Sequence, residues 1–245
     1  MQLIVLLLSL WVFESQEKKT ISFESADGIT ITADLYMTHD KTAPLIVLFH
    51  QARWSRGEYE EIAPRLNLLG YNCMAVDLRS GGEVNGVVNQ TTISAEKAMK
   101  ETRYIDSYPD IDAAVKYAKQ YFAEGKLIIW GSSYSSALAL RYAGEHTDLI
   151  DAVLSFSPGE YFKSQGKTAT YITEGAAKIT APVFITSAKG EKAGWWKIYE
   201  AIPSESKYYF LPETAGNHGS RALWSKFGDS LRYWDAVEKF LETIE

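Results

Sequence analysis

The sequence predicts one α/β domain: a mostly parallel central sheet of about eight strands, helices on both faces and no large lid. Three observations carry that expectation. Short apolar runs at residues 44–49, 71–76, 127–130, 150–156 and 182–187 alternate with helix-length segments, the rhythm of strand–helix–strand crossovers and of parallel pairing. Residues 126–140 pass from an apolar run through small polar residues into an alanine- and leucine-rich run, which reads as strand, sharp turn and helix. The chain's 245 residues, 46% of them hydrophobic, show no break in composition and supply one substantial core.

The elements follow in order. Residues 3–13 are almost wholly apolar and the composition turns polar at 14–19. That run is too short to span a bilayer, so a signal peptide over residues 1–16 is expected, with residues 17–245 as the mature domain. Export to a periplasm or beyond follows from it, with no stable membrane span in the mature chain. A packed N-terminal strand or helix, and a cytoplasmic chain, is the alternative. Residues 20–25 and 29–36 alternate apolar with polar about Asp27-Gly28, a hairpin for the antiparallel edge of the sheet. The continuous apolar run 44–49 reads as a strand buried on both faces. Residues 59–69 keep helical spacing through Ile62, Ala63, Leu66 and Leu69 until Gly70 stops them. Cys73, the only cysteine, falls inside the next strand, where a buried core thiol is expected and no intrachain disulfide is possible.

Residues 79–107 form a long polar connection with a short helix at 93–99. Tyr108-Pro109-Asp110 opens a helix over 111–123, which Gly125 ends, and the strand–turn–helix stretch follows. Only 25 residues lie between Phe156 and Pro182, too few for a separate helical lid, so an open site is expected. Residues 207–211 make the last strand and 221–244 one long helix or two.

Composition also excludes. With 25 Lys plus Arg against 31 Asp plus Glu, a net charge of −6 leaves no basic excess for phosphates, so nucleic acid is not an expected partner. No spacing of histidines and carboxylates resembles a metal-ligand set, and neither metal nor cofactor is expected. The triplet Asn89-Gln90-Thr91 matches a glycosylation sequon, a pattern too short to carry weight.

In a sharp strand-to-helix turn the central residue sits on a strained backbone above the sheet, with the helix N-terminus aimed at negative charge developing beside it. Ser133 holds that position in Gly131-Ser132-Ser133-Tyr134-Ser135. A serine needs a base, and the base an orienting acid. Of the four histidines, His39 lies in a surface turn, His146 on the far side of the sheet and His50 at the end of an upstream strand. His218 follows the last strand, at the same carboxyl edge as Ser133.

From about residue 20 to 240 the chain resembles the α/β-hydrolases. Its landmarks are Asp27-Gly28, Phe49-His50-Gln51, Asp77-Leu78-Arg79-Ser80-Gly81-Gly82, Gly131-Ser132-Ser133-Tyr134-Ser135 and Asn217-His218-Gly219. Without a lid it is similar to the small dienelactone hydrolase-like members. Those proper use a cysteine nucleophile where this chain has Ser133, so lactone specificity does not carry over. The resemblance implies the order nucleophile, acid, histidine, which gives Ser133, Glu191 after the strand 182–187, and His218, with Glu213 or Asp229 as substitutes for Glu191. It also implies an oxyanion hole from the Tyr134 N–H and that of Gln51 or Ala52, with Ala52 preferred. Gln51 stands where the family has glycine, and Ser135 where the elbow ends in glycine.

Arg53, Trp54, Arg56, Trp195 and Trp196 fall near the expected mouth, where Trp54, Arg56 and Trp195 would contact substrate. The implied activity is hydrolysis of a carboxylic ester, with a small acyl compound as substrate. A serine peptidase on the same residues and a non-catalytic binding protein on this scaffold are the alternatives.

Overall fold

The computed structural model describes residues 18–244, so the expected signal peptide lies outside the described residues. An eight-stranded sheet forms the centre, in the order β1 (Lys19–Glu24), β2 (Thr30–Tyr36), β4 (Asn72–Val76), β3 (Leu45–Phe49), β7 (Leu127–Ser132), β8 (Ala152–Phe156), β9 (Val183–Thr186), β10 (Lys207–Phe210). β2 is antiparallel to both β1 and β4, and every other pair is parallel. β7 lies between β3 and β8, with Gly131 opposite Phe49 and Ser155, so the elbow leaves the middle of the carboxyl edge. Central parallel strands must be covered on both faces. Along β3, Leu45, Val47 and Phe49 face one core, and Ile46 and Leu48 the other.

Helices α3 (Tyr108–Tyr121), α4 (Tyr134–Glu145), α5 (Tyr171–Ala176) and α6 (Lys192–Ala201) cover the first face, and α1 (Ile62–Leu68) and α7 (Ser230–Glu242) the second. α6 seats Trp195 and Ile198 in the core, and Ile202, just past its end, extends the same buried stripe. The segment after β8 folds into a 3-10 turn, Lys163–Gln165, and α5, which packs on α4 and α6 and makes no lid domain.

Several boundaries differ from the sequence reading. The helix expected over 59–69 is a 3-10 turn, Arg56–Tyr59, followed by α1, and the segment 221–244 is a 3-10 turn, Ser220–Leu223, followed by α7. The connection 79–107 holds a small hairpin, β5 (Glu83–Val84) and β6 (Val87–Val88), then α2 (Gln90–Lys97), three residues earlier than expected. Asn85 and Gly86 both take positive φ, 52° and 76°, the backbone that a two-residue hairpin turn demands. Asn89 is buried and caps α2 by accepting the Thr92 N–H, while its amide nitrogen donates to Trp54 O and Leu78 O, so it offers no glycosylation site. Cys73 is a buried free thiol, pushed well up by desolvation and inert as a nucleophile. Among the described residues no helix is long and apolar enough to cross a membrane.

Candidate active site

The elbow depends on a missing side chain. A Cβ on Gly131 would lie 2.4 Å from Ser136 Cα and 2.5 Å from Ser136 N, so only glycine lets α4 fold back on β7. Ser133 then takes φ 59° and ψ −122°, a conformation L-residues avoid, and its N–H is fixed on Phe156 O at 2.7 Å. The neighbouring strand end therefore holds the strained turn in place. Ser135, the departure from the usual glycine, is absorbed between the strand ends. Its Oγ accepts the Ser132 N–H at 2.9 Å and lies 2.8 Å from Phe49 O, to which its hydroxyl can donate. The hydroxymethyl thereby ties β7 to β3.

His218 rides on the loop after β10. Gly216 and Gly219 flank it at φ 70° and 73°, and a Cβ on Gly219 would meet Ser132 Oγ at 2.6 Å and Gln51 Oε1 at 2.7 Å. The Gly219 N–H donates to Ser157 Oγ at 2.9 Å. Glu191 ends a 3-10 turn, Lys189–Glu191, directly after β9. Two contacts join this acid loop to the histidine loop: the Lys189 N–H donates to Ala215 O, and the Tyr233 hydroxyl donates to Ser187 O while facing the Asn217 N–H.

The three side chains meet. Ser133 Oγ lies 2.8 Å from His218 Nε2, and His218 Nδ1 lies 2.7 Å from Glu191 Oε1. With neutral imidazole, Nδ1–H donates to the carboxylate and Nε2 accepts from the serine hydroxyl. Burial alone would raise the Glu191 carboxyl, but hydrogen bonding from His218 and the nearby Ser157 hydroxyl outweighs it and holds the group below its ordinary value. Glu191 is therefore ionised at neutral pH. The side chains of His218 and Glu191 stay about one third exposed, 34% and 32%, so the site is reachable from solvent. Of the substitutes weighed, Asp229 instead accepts the Thr214 hydroxyl.

Two N–H groups remain for an anion. Neither the Tyr134 N–H, at the start of α4, nor the Ala52 N–H has an acceptor among the described residues. Gln51 corrects the sequence reading: its N–H donates to Glu58 Oε2 at 2.7 Å and points into the protein. His50 is buried and neutral, its pKa lowered by desolvation. Its Nδ1–H donates to Gln51 O at 2.8 Å and its Nε2 accepts the Leu78 N–H. A trans peptide points its N–H opposite to its carbonyl. Anchoring Gln51 O inward thus turns the Ala52 N–H away from the core.

The expected substrate contacts need larger corrections. Trp195 is wholly buried and its indole donates to Ser187 Oγ at 2.8 Å, so it packs beneath the acid loop. Arg56 is enclosed by acids, with Nη1 2.7 Å from Asp77 Oδ2 and Nε 3.0 Å from Asp34 Oδ2. Both residues build the scaffold. Trp54 stays near the rim, stacked on Trp224 at 5.2 Å with the Arg221 guanidinium 5.9 Å from its ring, and Arg53 is exposed beside it. Sequence reasoning missed Tyr161, whose hydroxyl donates to Ser157 O at 2.7 Å and faces the Ser133 hydroxyl. Its ring leans on Gly159, where a Cβ would come within 2.9 Å. The Pro158-Gly159 turn at the end of β8 was the available signal. Among the described residues no cluster of His, Cys, Asp or Glu could hold a metal ion.

Comparison with known proteins gives a family and a fold. Residues 40–188 match the family model described as serine aminopeptidase, S33. No curated protein sequence matches the chain. An esterase of Pyrococcus furiosus is similar over 93% of this chain and 92% of its own, with 17% identity and a TM-score of 0.68. A dienelactone hydrolase of Anabaena variabilis is similar over 93% and 97%, with 13% identity and a TM-score of 0.71. Est1E of Butyrivibrio proteoclasticus, solved with ferulic acid bound, is similar over 91% and 98%, with 16% identity and a TM-score of 0.67.

Proposed function

The chain belongs to the serine aminopeptidase S33 family and is a serine hydrolase of the α/β-hydrolase fold, and from that premise we propose that it cleaves carboxylic esters through Ser133, His218 and Glu191 by way of an acyl-enzyme. One observation carries the reading: the unbroken hydrogen-bond chain from Ser133 Oγ through both nitrogens of His218 to Glu191 Oε1. His218 Nε2 takes the hydroxyl proton as Ser133 Oγ attacks the ester carbonyl carbon. The Tyr134 and Ala52 N–H groups receive the oxyanion, and the dipole of α4 adds to them. When the tetrahedral intermediate collapses, the carbon–oxygen bond to the alcohol breaks and His218 returns the proton to the departing oxygen. A water then repeats the sequence on the acyl-enzyme, releasing acid and regenerating Ser133. Throughout, the ionised Glu191 keeps Nδ1 protonated and stabilises the imidazolium.

Charge at the mouth favours esters over peptides with a free amino terminus. An aminopeptidase must hold an ammonium, and the acids nearby are committed elsewhere. Glu191 faces His218, Glu160 accepts the Ile172 and Thr173 N–H groups at the start of α5, and Glu58 is buried. The rim carries Arg53 and Arg221 instead. The Pyrococcus furiosus neighbour, described as an esterase, agrees with this choice. A panel of p-nitrophenyl esters against aminoacyl p-nitroanilides is expected to show kcat/KM at least about 100-fold higher on short acyl esters. Faster turnover of the aminoacyl amides would replace the ester reading with the peptidase one.

A further inference from the structure

Glu58 is a buried acid that the steps above leave unused. It sits in the 3-10 turn Arg56–Tyr59 with no exposed surface. Its Oε1 accepts the Ser132 hydroxyl and its Oε2 the Gln51 N–H, each at 2.7 Å. Ser132 Oγ in turn accepts the Ser220 N–H at 2.8 Å, and Ser220 Oγ accepts the Trp130 indole N–H at 2.9 Å. One carboxylate therefore joins three segments, each beside a reacting group. Gln51 precedes Ala52, Ser132 precedes Ser133, and Ser220 lies two residues after His218. The glycine at 219 is what lets Ser132 and Gln51 meet there.

The hydrogens can be counted. The Gln51 N–H can only donate, and Ser132, already accepting from Ser220, has its own proton left to give. The network thus offers Glu58 two protons and needs two acceptor oxygens, which is the ionised form. A proton on Oε1 would force the Ser132 hydroxyl to turn elsewhere. Gln51 Oε1, buried and without a partner among the described residues, is a nearby acceptor on the same side of Gly219.

We propose that Glu58 is a positioning residue whose carboxylate, through Gln51 and Ser132, aims the Ala52 N–H and seats the elbow against the histidine loop, and that protonating it slackens this alignment. The proposal rests on the reading of Ser133 as nucleophile and Ala52 as oxyanion donor. Glu58 touches no reacting atom; it acts through the residues it holds. Desolvation pushes its carboxyl up to about 7, against hydrogen bonding from Ser132 and Gln51 and the more distant pull of His218 and Arg221. The groups facing it are His218 and Arg221 from the histidine loop, Tyr134 from α4 and Tyr59 on its own turn. Burial raises both tyrosines, so they stay protonated through this range.

Glu58→Gln copies the protonated form without changing size. Steady-state hydrolysis of p-nitrophenyl acetate from pH 5.5 to 9 is expected to show kcat/KM about tenfold or more below wild type at pH 8.5, the loss falling on kcat, with an unchanged far-ultraviolet circular dichroism spectrum. The wild-type-to-variant ratio should shrink towards one below pH 6, where wild type carries the same proton. A ratio constant with pH, or undiminished activity, overturns the proposal. If Glu58→Gln does not fold, Ser132→Ala provides the reading. Losing one donor to the carboxylate should move the inflection of the pH profile near 7 upward by more than about half a unit, and an unmoved inflection overturns the proposal. A wild type inert towards the ester overturns the reading of Ser133 and this proposal with it. An active wild type with a flat ratio overturns this proposal alone.

Discussion

Ser133→Ala lowers kcat/KM on short p-nitrophenyl esters by about 10⁴-fold or more and leaves the fold intact. The size follows from the roles of the three side chains. Removing the nucleophile deletes the covalent route, and what remains is the modest acceleration from the oxyanion donors and from binding. Folding should not suffer, because the groups facing the Ser133 hydroxyl keep other partners: His218 is about one third exposed and bound to Glu191, and Tyr161 keeps its bond to Ser157 O. The Ser133 N–H keeps its bond to Phe156 O in the alanine variant. Steady-state kinetics beside a thermal melt separates the two effects. A variant retaining more than about a tenth of wild-type activity would remove Ser133 from the chemistry.

Gly131→Ala is expected to cost stability and activity together. The added Cβ meets only backbone: Ser136 Cα at 2.4 Å, Ser136 N at 2.5 Å and the Ser135 carbonyl carbon at 2.6 Å. No side chain can rotate away, so the first turn of α4 must lift from β7. Ten of the twelve residues of that helix are buried, which makes the displacement expensive. Overpacking of this kind costs on the order of 3 kcal/mol, a large share of a domain's ~5–15 kcal/mol. In a chain of this length that is a fall in Tm of roughly 6–12 °C. Lifting the helix also moves the Tyr134 N–H and changes the Ser133 backbone, so kcat should drop in the molecules that remain folded. A Tm within about 2 °C of wild type with full activity would show that the elbow has slack the close contacts deny.

The sheet and the line of Ser133, Glu191 and His218 were legible because topology orders them. A parallel sheet puts the carboxyl end of every central strand on one edge, so a serine after β7, an acid after β9 and a histidine after β10 converge although 85 residues separate Ser133 from His218. Side-chain direction was much less legible. The sequence points to Trp195 as a substrate contact, yet with Ile198 and Ile202 it makes an apolar stripe at helical spacing, a signal of core that becomes visible once α6 is recognised. Arg56 pairs with Asp34 and Asp77, each more than twenty residues away, and nothing local announces such a pair. The Gln51 N–H was open to either direction until the fold brought Glu58 beneath it. The departure at Ser135 is accommodated for a reason that is also long-range: its hydroxyl finds Phe49 O on the adjacent strand. Asn85-Gly86 between Val84 and Val87 was a local hairpin signal hidden inside a long polar connection.

The most direct test of the central claim is covalent. Folded protein treated with a fluorophosphonate, digested and mapped by mass spectrometry should carry one phosphonyl adduct on Ser133, lost in Ser133→Ala and after heat denaturation. Folded, ester-active protein that takes no adduct at Ser133, or takes it on another serine, would contradict the account.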